Sequence, residues 1–312
     1  MRRSISKATV SIATVAVLVF SASVLLACSV PVFRYALEQW QPDSFRVVVF
    51  HRGELTADEK KLVERIDPTD LDAAYVGNVW VKPVDLDKEI EPEFAELWAQ
   101  QKTESLPWMV AQSPKKFGRT ATVVASEFTS QNVDRLLESP HRKALGERLI
   151  KGESVVWMLL ESGDKAADDA AAEVISAELK RLQGELKLPD IDQKDIDDGF
   201  LSVNPDELKI RFSLVRVSRD DPEEAAFVSM LLNTEPDLRD PEFDGQPMAL
   251  PVFGRGRSLY ALIGKGINAE TIEDACRFLT GACQCTVKAQ NPGVDLLTTV
   301  DWDSVIVPQL DQ

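Results

Sequence analysis

FRVVVFHRGELTADEKKLVERI, residues 45–66, holds a strand, a turn and a helix start in order. Phe45–His51 is apolar and β-branched, which predicts a buried strand. Arg52-Gly53-Glu54-Leu55 turns the chain. Thr56, with Glu59 three residues on, has capping-box spacing. Leu62, Val63 and Ile66 give the helix that follows an apolar face. Working outward, Val76–Val84 predicts a second strand, interrupted by Pro83, and Pro92 opens a helix through Phe94, Leu97 and Trp98. Pro107-Trp108-Met109-Val110 begins a third strand, Thr120–Ala125 returns as a fourth, and Ser130–Leu137 closes with a helix.

The same order of elements recurs. Ser154–Leu160 (SVVWMLL) predicts a buried strand, and Lys165–Leu182 a long helix. Acids near the start of that helix and bases near its end complement the helix dipole. After an acidic insertion (187–207), Lys209–Val217 is a second strand and Pro222 opens a helix through Phe227, Met230 and Leu231. Ala249–Phe253, a turn at Gly254–Arg257, Ser258–Ile263 and a helix at Thr271–Leu279 complete the unit. Each half reads β-α-β-α-β-β-α. A Leu-Pro pair begins the third strand in both, at Leu106-Pro107 and Leu250-Pro251. Each following hairpin carries a basic, glycine-containing turn, KKFGR (115–119) and GRGR (254–257).

That order resembles the thioredoxin fold, an α/β sandwich, here twice in tandem. The resemblance implies that Pro107 and Pro251 are cis, as in the proline that precedes the third core strand of that family. It also implies where a Cys-x-x-Cys pair would stand, namely HRGELT (51–56) and ESGDK (161–165). Neither stretch contains cysteine. The expectation is two redox-silent domains, of a kind that serves as a binding platform or spacer. Contacts to a partner are then expected near those two loops and the two prolines.

Residues 1–27 read as an address. Arg2, Arg3 and Lys7 precede an uncharged run from Ala8, the layout of an export signal. The run ends in Leu25-Leu26-Ala27-Cys28, which resembles the lipobox of bacterial lipoproteins. That resemblance implies a diacylated Cys28 as the first residue of the mature chain, held on a membrane by two acyl chains. The uncharged run continues to Phe33, so an uncleaved anchor and plain secretion with a free or disulfide-bonded Cys28 compete with it. Cys28-Ser29-Val30-Pro31 could also place a reactive thiol at a helix start. The expected organisation is a signal at 1–27 and a first domain at 28–150 with an extra N-terminal helix. A second domain follows at 151–290, then a tail at 291–312.

Composition narrows the function. The chain has 312 residues, 44% apolar and 28% charged, which is globular rather than disordered. A formal charge of −16 argues against a nucleic-acid backbone as partner. After removal of 1–27, the remaining 32 basic residues against 51 acids leave −19. Two histidines leave little room for His-based chemistry. His51 reads as a polar strand end and His141 as a surface residue. No Ser-His-acid order stands out, and no cofactor or metal is called for.

Cys276, Cys283 and Cys285 cluster near the C-terminal end. Outside the cytoplasm, close thiols oxidise, so a disulfide from Cys276 to Cys283 or Cys285 is expected, pinning a strand at Cys285–Val287. Thiol exchange or a soft-metal site are the sharper alternatives for the same three residues. The insertion reads as a solvated acidic loop, its spacing unlike an EF-hand. The expectation is a membrane-anchored, extracytoplasmic lipoprotein that binds an unidentified protein partner without catalysis.

Overall fold

The computed structural model describes residues 28–67, 77–115 and 118–306. The address segment 1–27, Val76, Lys116, Phe117 and the last six residues of the tail lie outside them. The chain is a mixed α/β fold with two sheets. The elements of the first sheet are β1 (Phe45–His51), α2 (Ala57–Ile66), β2 (Val79–Asp85), α3 (Pro92–Ala99), β3 (Trp108–Gln112), β4 (Thr122–Glu127) and α4 (Ser130–Leu137). They follow α1 (Val32–Gln39). A further helix, α5 (Pro140–Ile150), leads to the second sheet. There the elements are β5 (Val155–Leu160), α6 (Lys165–Glu185), a short α7 (Gln193–Asp197), β6 (Phe212–Val217), α8 (Ala225–Leu231), β7 (Met248–Phe253), β8 (Arg257–Ser258), β9 (Leu262–Ile263) and α9 (Ala269–Thr280). The chain then adds β10 (Val294–Asp295) and α10 (Trp302–Ile306).

Both sheets have the same plan. In the first, the order is β2-β1-β3-β4, with β1 parallel to β2 and β3 antiparallel to both neighbours. In the second, β6-β5-β7-β8 repeats it, and β10 extends the β8 edge. The capping box at α2 is formed: Glu59 N–H donates to Thr56 Oγ1 at 3.3 Å, and Thr56 N–H donates to the Glu59 carboxylate at 2.7 Å. The second half departs from expectation at α8. Pro222 lies in the preceding turn, and the helix begins three residues later behind Glu224.

Alternation along the strands places three cores. From β1, Phe45, Val47 and Val49 face a core shared with β5, which contributes Val156, Met158 and Leu160. Between the sheets, α4, α5 and α8 supply Val133, Leu136, Leu145, Leu149, Phe227 and Leu231. The opposite residues of β1, Val48 and Phe50, pack with Phe94 and Leu97 of α3. The opposite residues of β5, Val155, Trp157 and Leu159, pack with α6, α9 and α1. The molecule is therefore layered: α3, sheet, helices, sheet, helices.

Three expectations about organisation are corrected. The N-terminal helix α1 does not pack on the first sheet. Val32, Phe33, Tyr35 and Ala36 join the second core beside Trp157 and Phe253. The GRGR turn receives it: Arg255 donates to the carbonyls of Leu37 (2.7 Å) and Glu38 (3.2 Å) at the end of α1. The tail is not separate either. Leu296, Leu297 and Trp302 sit in the shared core, and Asn78 and Thr298 exchange hydrogen bonds at 2.8 and 3.4 Å. The acidic insertion is not simply solvated. Asp195 is buried and accepts from Ser29 N–H (2.7 Å) and Oγ (2.5 Å), while Phe200 meets Tyr35 edge-on.

The two prolines differ. Leu106–Pro107 is cis, and among the described residues it is the cis bond found. Leu250–Pro251, expected to be cis, is trans. Pro251 stands inside β7, opposite Trp157 of β5. Its missing N–H falls where the neighbouring edge is interrupted: the expected fourth strand is split into β8 and β9, and Leu259 N–H reaches back to the Pro251 carbonyl at 2.9 Å. A proline is tolerated in a strand at such a break.

Candidate functional site

The parallel strands β1 and β2 end together, at His51 and Asp85. Ligands of open α/β sheets bind outside the carboxyl ends of such strands. A cavity of about 310 Å³ lies here, lined by His51, Lys82, Asp85, Lys88, Glu91 and Phe94. Its walls follow from local structure. Gly53, at φ +61°, turns the chain so that its own carbonyl meets His51 Nδ1 at 2.9 Å. Gly53 N–H donates to Asp85 at 3.2 Å, and Leu86 N–H donates to the His51 carbonyl at 2.8 Å. The N–H of Asp87, with further bonds from Lys88 and Gly53, holds the Asp85 carboxyl below the usual carboxylate range. Asp85 is thus an anion that organises the loop. Phe94 forms the apolar floor, with Lys82 Nζ 5.9 Å above its ring. Cis-Pro107 lies on the other flank of β1, since β3 runs antiparallel and sets Trp108 against Phe50.

The corresponding loop in the second half is braced by its own carboxylates. Asp168 is buried and accepts from Ser162 N–H (2.7 Å), Ser162 Oγ (2.8 Å) and Gly163 N–H (3.1 Å). Asp164 accepts from Ala166 and Ala167 N–H. Two carboxylates therefore occupy the first turn of α6, where its dipole favours negative charge.

The three C-terminal cysteines do not link to one another. All four are free thiols, so the disulfide expected within the C-terminal cluster is absent from the structure. Cys276 lies on the inner face of α9, and burial pushes its thiol up to about 12. Cys283 is buried and pushed up to about 11, its Sγ donating to the Cys285 carbonyl at 3.1 Å. Cys285 turns its Sγ outward to Gln290, 3.2 Å away. No strand forms at residues 285–287. Among the described residues, no group of three His, Cys, Asp or Glu side chains could hold a metal. Cys28, read as the lipid-bearing residue, is buried in the second core, and burial pushes its thiol up to about 11.

Residue types alone gave no reason to single out Lys82, Asp85 or Phe94. Their signal was positional: Lys82 and Asp85 end the second strand of a β-α-β unit, and Phe94 opens the helix after it. A larger cavity, about 340 Å³, lies between α5 and the tail, lined by Leu137, Arg142, Ile150, Thr298 and Val300 among others. The Arg142 guanidinium there donates to the carbonyls of Leu136 (2.8 Å) and Leu297 (3.4 Å) and serves as a brace.

No family model matches the chain, and no curated protein matches it. Among solved structures, the crystal structure of full-length ERdj5 aligns with 10% identity and a TM-score of 0.23, over 85% of this chain and 33% of that one. The chain thus spans about a third of that protein, and a likeness of this size carries no argument about fold or function.

Proposed function

We propose that the protein is an exported, membrane-tethered binding protein without catalytic activity, built on two redox-silent thioredoxin-like units. The observation that carries the reading is the contrast between the two strand-end loops. Both lack thiols; the first borders a cavity of mixed charge with an aromatic floor, while the second is braced by Asp168, which bonds Ser162 and Gly163 of its own loop. The shared strand order and cis-Pro107 support the thioredoxin-like description. A cavity with a lysine pair, three acids and Phe94 suits a polypeptide segment carrying both charge and an apolar side chain. The alternative, thiol exchange or soft-metal handling by Cys276, Cys283 and Cys285, is disfavoured by burial. Thiols held at about 12 and 11 supply few thiolates at neutral pH.

The tether rests on the address segment. The lipobox reading puts a thioether lipid on Cys28, and in that form residues 28–31 must leave the second core. An uncleaved apolar run asks nothing of the fold. Among the described residues no helix is long and apolar enough to cross a membrane.

The test is a photo-crosslinking residue introduced at Arg52, at the rim of the cavity, in the full chain made in an exporting cell. The expected result is a discrete protein adduct on the exported face, lost when Phe94→Ala and Lys82→Glu are added. Recovery of the chain in the cytoplasm, or adducts indifferent to both changes, overturns the reading. Insulin reduction by the purified chain at a rate above background would overturn its non-catalytic part.

A further inference from the structure

The segment before α1 runs antiparallel to the chain just beyond α9 and is joined to it by an isolated bridge. Cys28 N–H donates to the Cys283 carbonyl at 3.0 Å, Cys283 N–H to the Val30 carbonyl at 2.9 Å, and Val32 N–H to the Gly281 carbonyl at 2.9 Å. Pro31 and Ala282 form the bridge between them. The bridge register sets Cys283 opposite Val30, and the direct backbone bond from Cys28 N–H makes Cys28 the next neighbour of Cys283 on the same side. Both side chains point inward, Cys28 at 2% and Cys283 at 0% exposure, and both belong to the second core. Tyr35 lies in the same core, and burial pushes its hydroxyl up to about 12. The other two cysteines are engaged elsewhere, Cys276 within α9 and Cys285 toward Gln290.

We propose that Cys28 and Cys283 form a disulfide that fastens the N-terminal segment to the chain beyond α9. Each thiol gives up one proton, and the pair gives up two electrons as the S–S bond forms. A disulfide oxidant, glutathione disulfide or the disulfide of an exported thiol oxidase, takes both electrons and both protons, and its own S–S bond opens to two thiols. Since burial keeps both thiols protonated in the folded chain, the bond forms while the segment is still open, during folding. In the cell the oxidant rests on the export reading above; with the purified chain it does not.

The experiment refolds the reduced full chain in detergent with a glutathione redox couple, then counts thiols in denaturant and maps linked peptides by mass spectrometry. The expected count falls from four to two, with one peptide joining Cys28 to Cys283. Cys276→Ala and Cys285→Ser keep that link, while Cys283→Ser abolishes it and leaves Cys28 free. If Cys283→Ser does not fold, the first two variants still decide. Four thiols after refolding, or a link involving Cys276 or Cys285, overturns the proposal. So does a thioether lipid on Cys28 of the exported protein. Fractionation of the cell reads the location separately, so a cytoplasmic protein that still forms the link counts against export alone.

Discussion

Arg142 shows how one side chain can hold several segments. It is buried on α5 and donates to the carbonyls of Leu136 and Leu297, beside His141, whose ring meets the fully buried Glu224 at 2.8 Å. The carboxylate of Glu224 accepts from the His141 N–H at 2.9 Å. Arg142→Ala leaves those buried carbonyls without their donor, and is expected to cost about 1–3 kcal/mol in urea unfolding. Arg142→Lys restores charge without the planar fork and is expected to recover only part. A second expectation concerns alkali. Burial raises Cys28, Cys276 and Cys283 above the ordinary thiol value of 9.0, to about 11, 12 and 11. Above pH 9 the unfolded chain loses these protons while the folded chain keeps them. Stability is therefore expected to be level below pH 9 and to fall as pH rises from 9 toward 11. Urea titrations of the reduced protein measure this, and the oxidised protein should show a shallower fall. None of this was legible from residue type. Arg142 sat in an unremarkable basic-acidic helix, and the burial of Cys28 depends on residues 281–283, far away in sequence.

Elements were more readable than their neighbours. The strands β1, β3, β5 and β7 and the helices α2, α3, α4 and α6 stand close to their expected places, because periodicity and capping are local properties. What lies beside each element is not local. The turn at Gly254 illustrates it: φ is +57°, and a Cβ there would stand 2.8 Å from the Cβ of Ala36 in α1. The turn chemistry was visible, but its use as a seat for a distant helix was not. Gly254→Ala is expected to displace α1 and to destabilise the fold by about 1–3 kcal/mol. Hydrogen exchange should quicken across residues 28–41 and remain slow in β1. Gly256→Ala, whose Cβ would meet Thr298 at 2.8 Å, is expected instead to loosen the tail. A shared pattern of faster exchange for the two variants would contradict this division.

The whole molecule departs furthest from the linear reading. Boundaries at residues 150 and 290 divide the chain, yet the shared core takes side chains from both sides of each. One calorimetric transition is expected, with equal calorimetric and van't Hoff enthalpies, and a fragment ending at residue 150 is expected not to fold alone. Two separated transitions would show that the halves are independent. The repeated plan was legible because each half builds its own sheet. The interlocking was not, because it depends on which apolar faces find each other. The placement of α1 also has a consequence for the order of events at synthesis. Trp40 donates to the Thr286 carbonyl at 3.0 Å, and Arg255 and Arg257 reach Gln41 and Asp295 at 2.9 Å each. Helix α1 and the residues just after it must wait for segments far downstream before these contacts exist. Such distant pairings close slowly. A nascent chain with this wiring keeps its N-terminal segment unseated until that downstream stretch has been made.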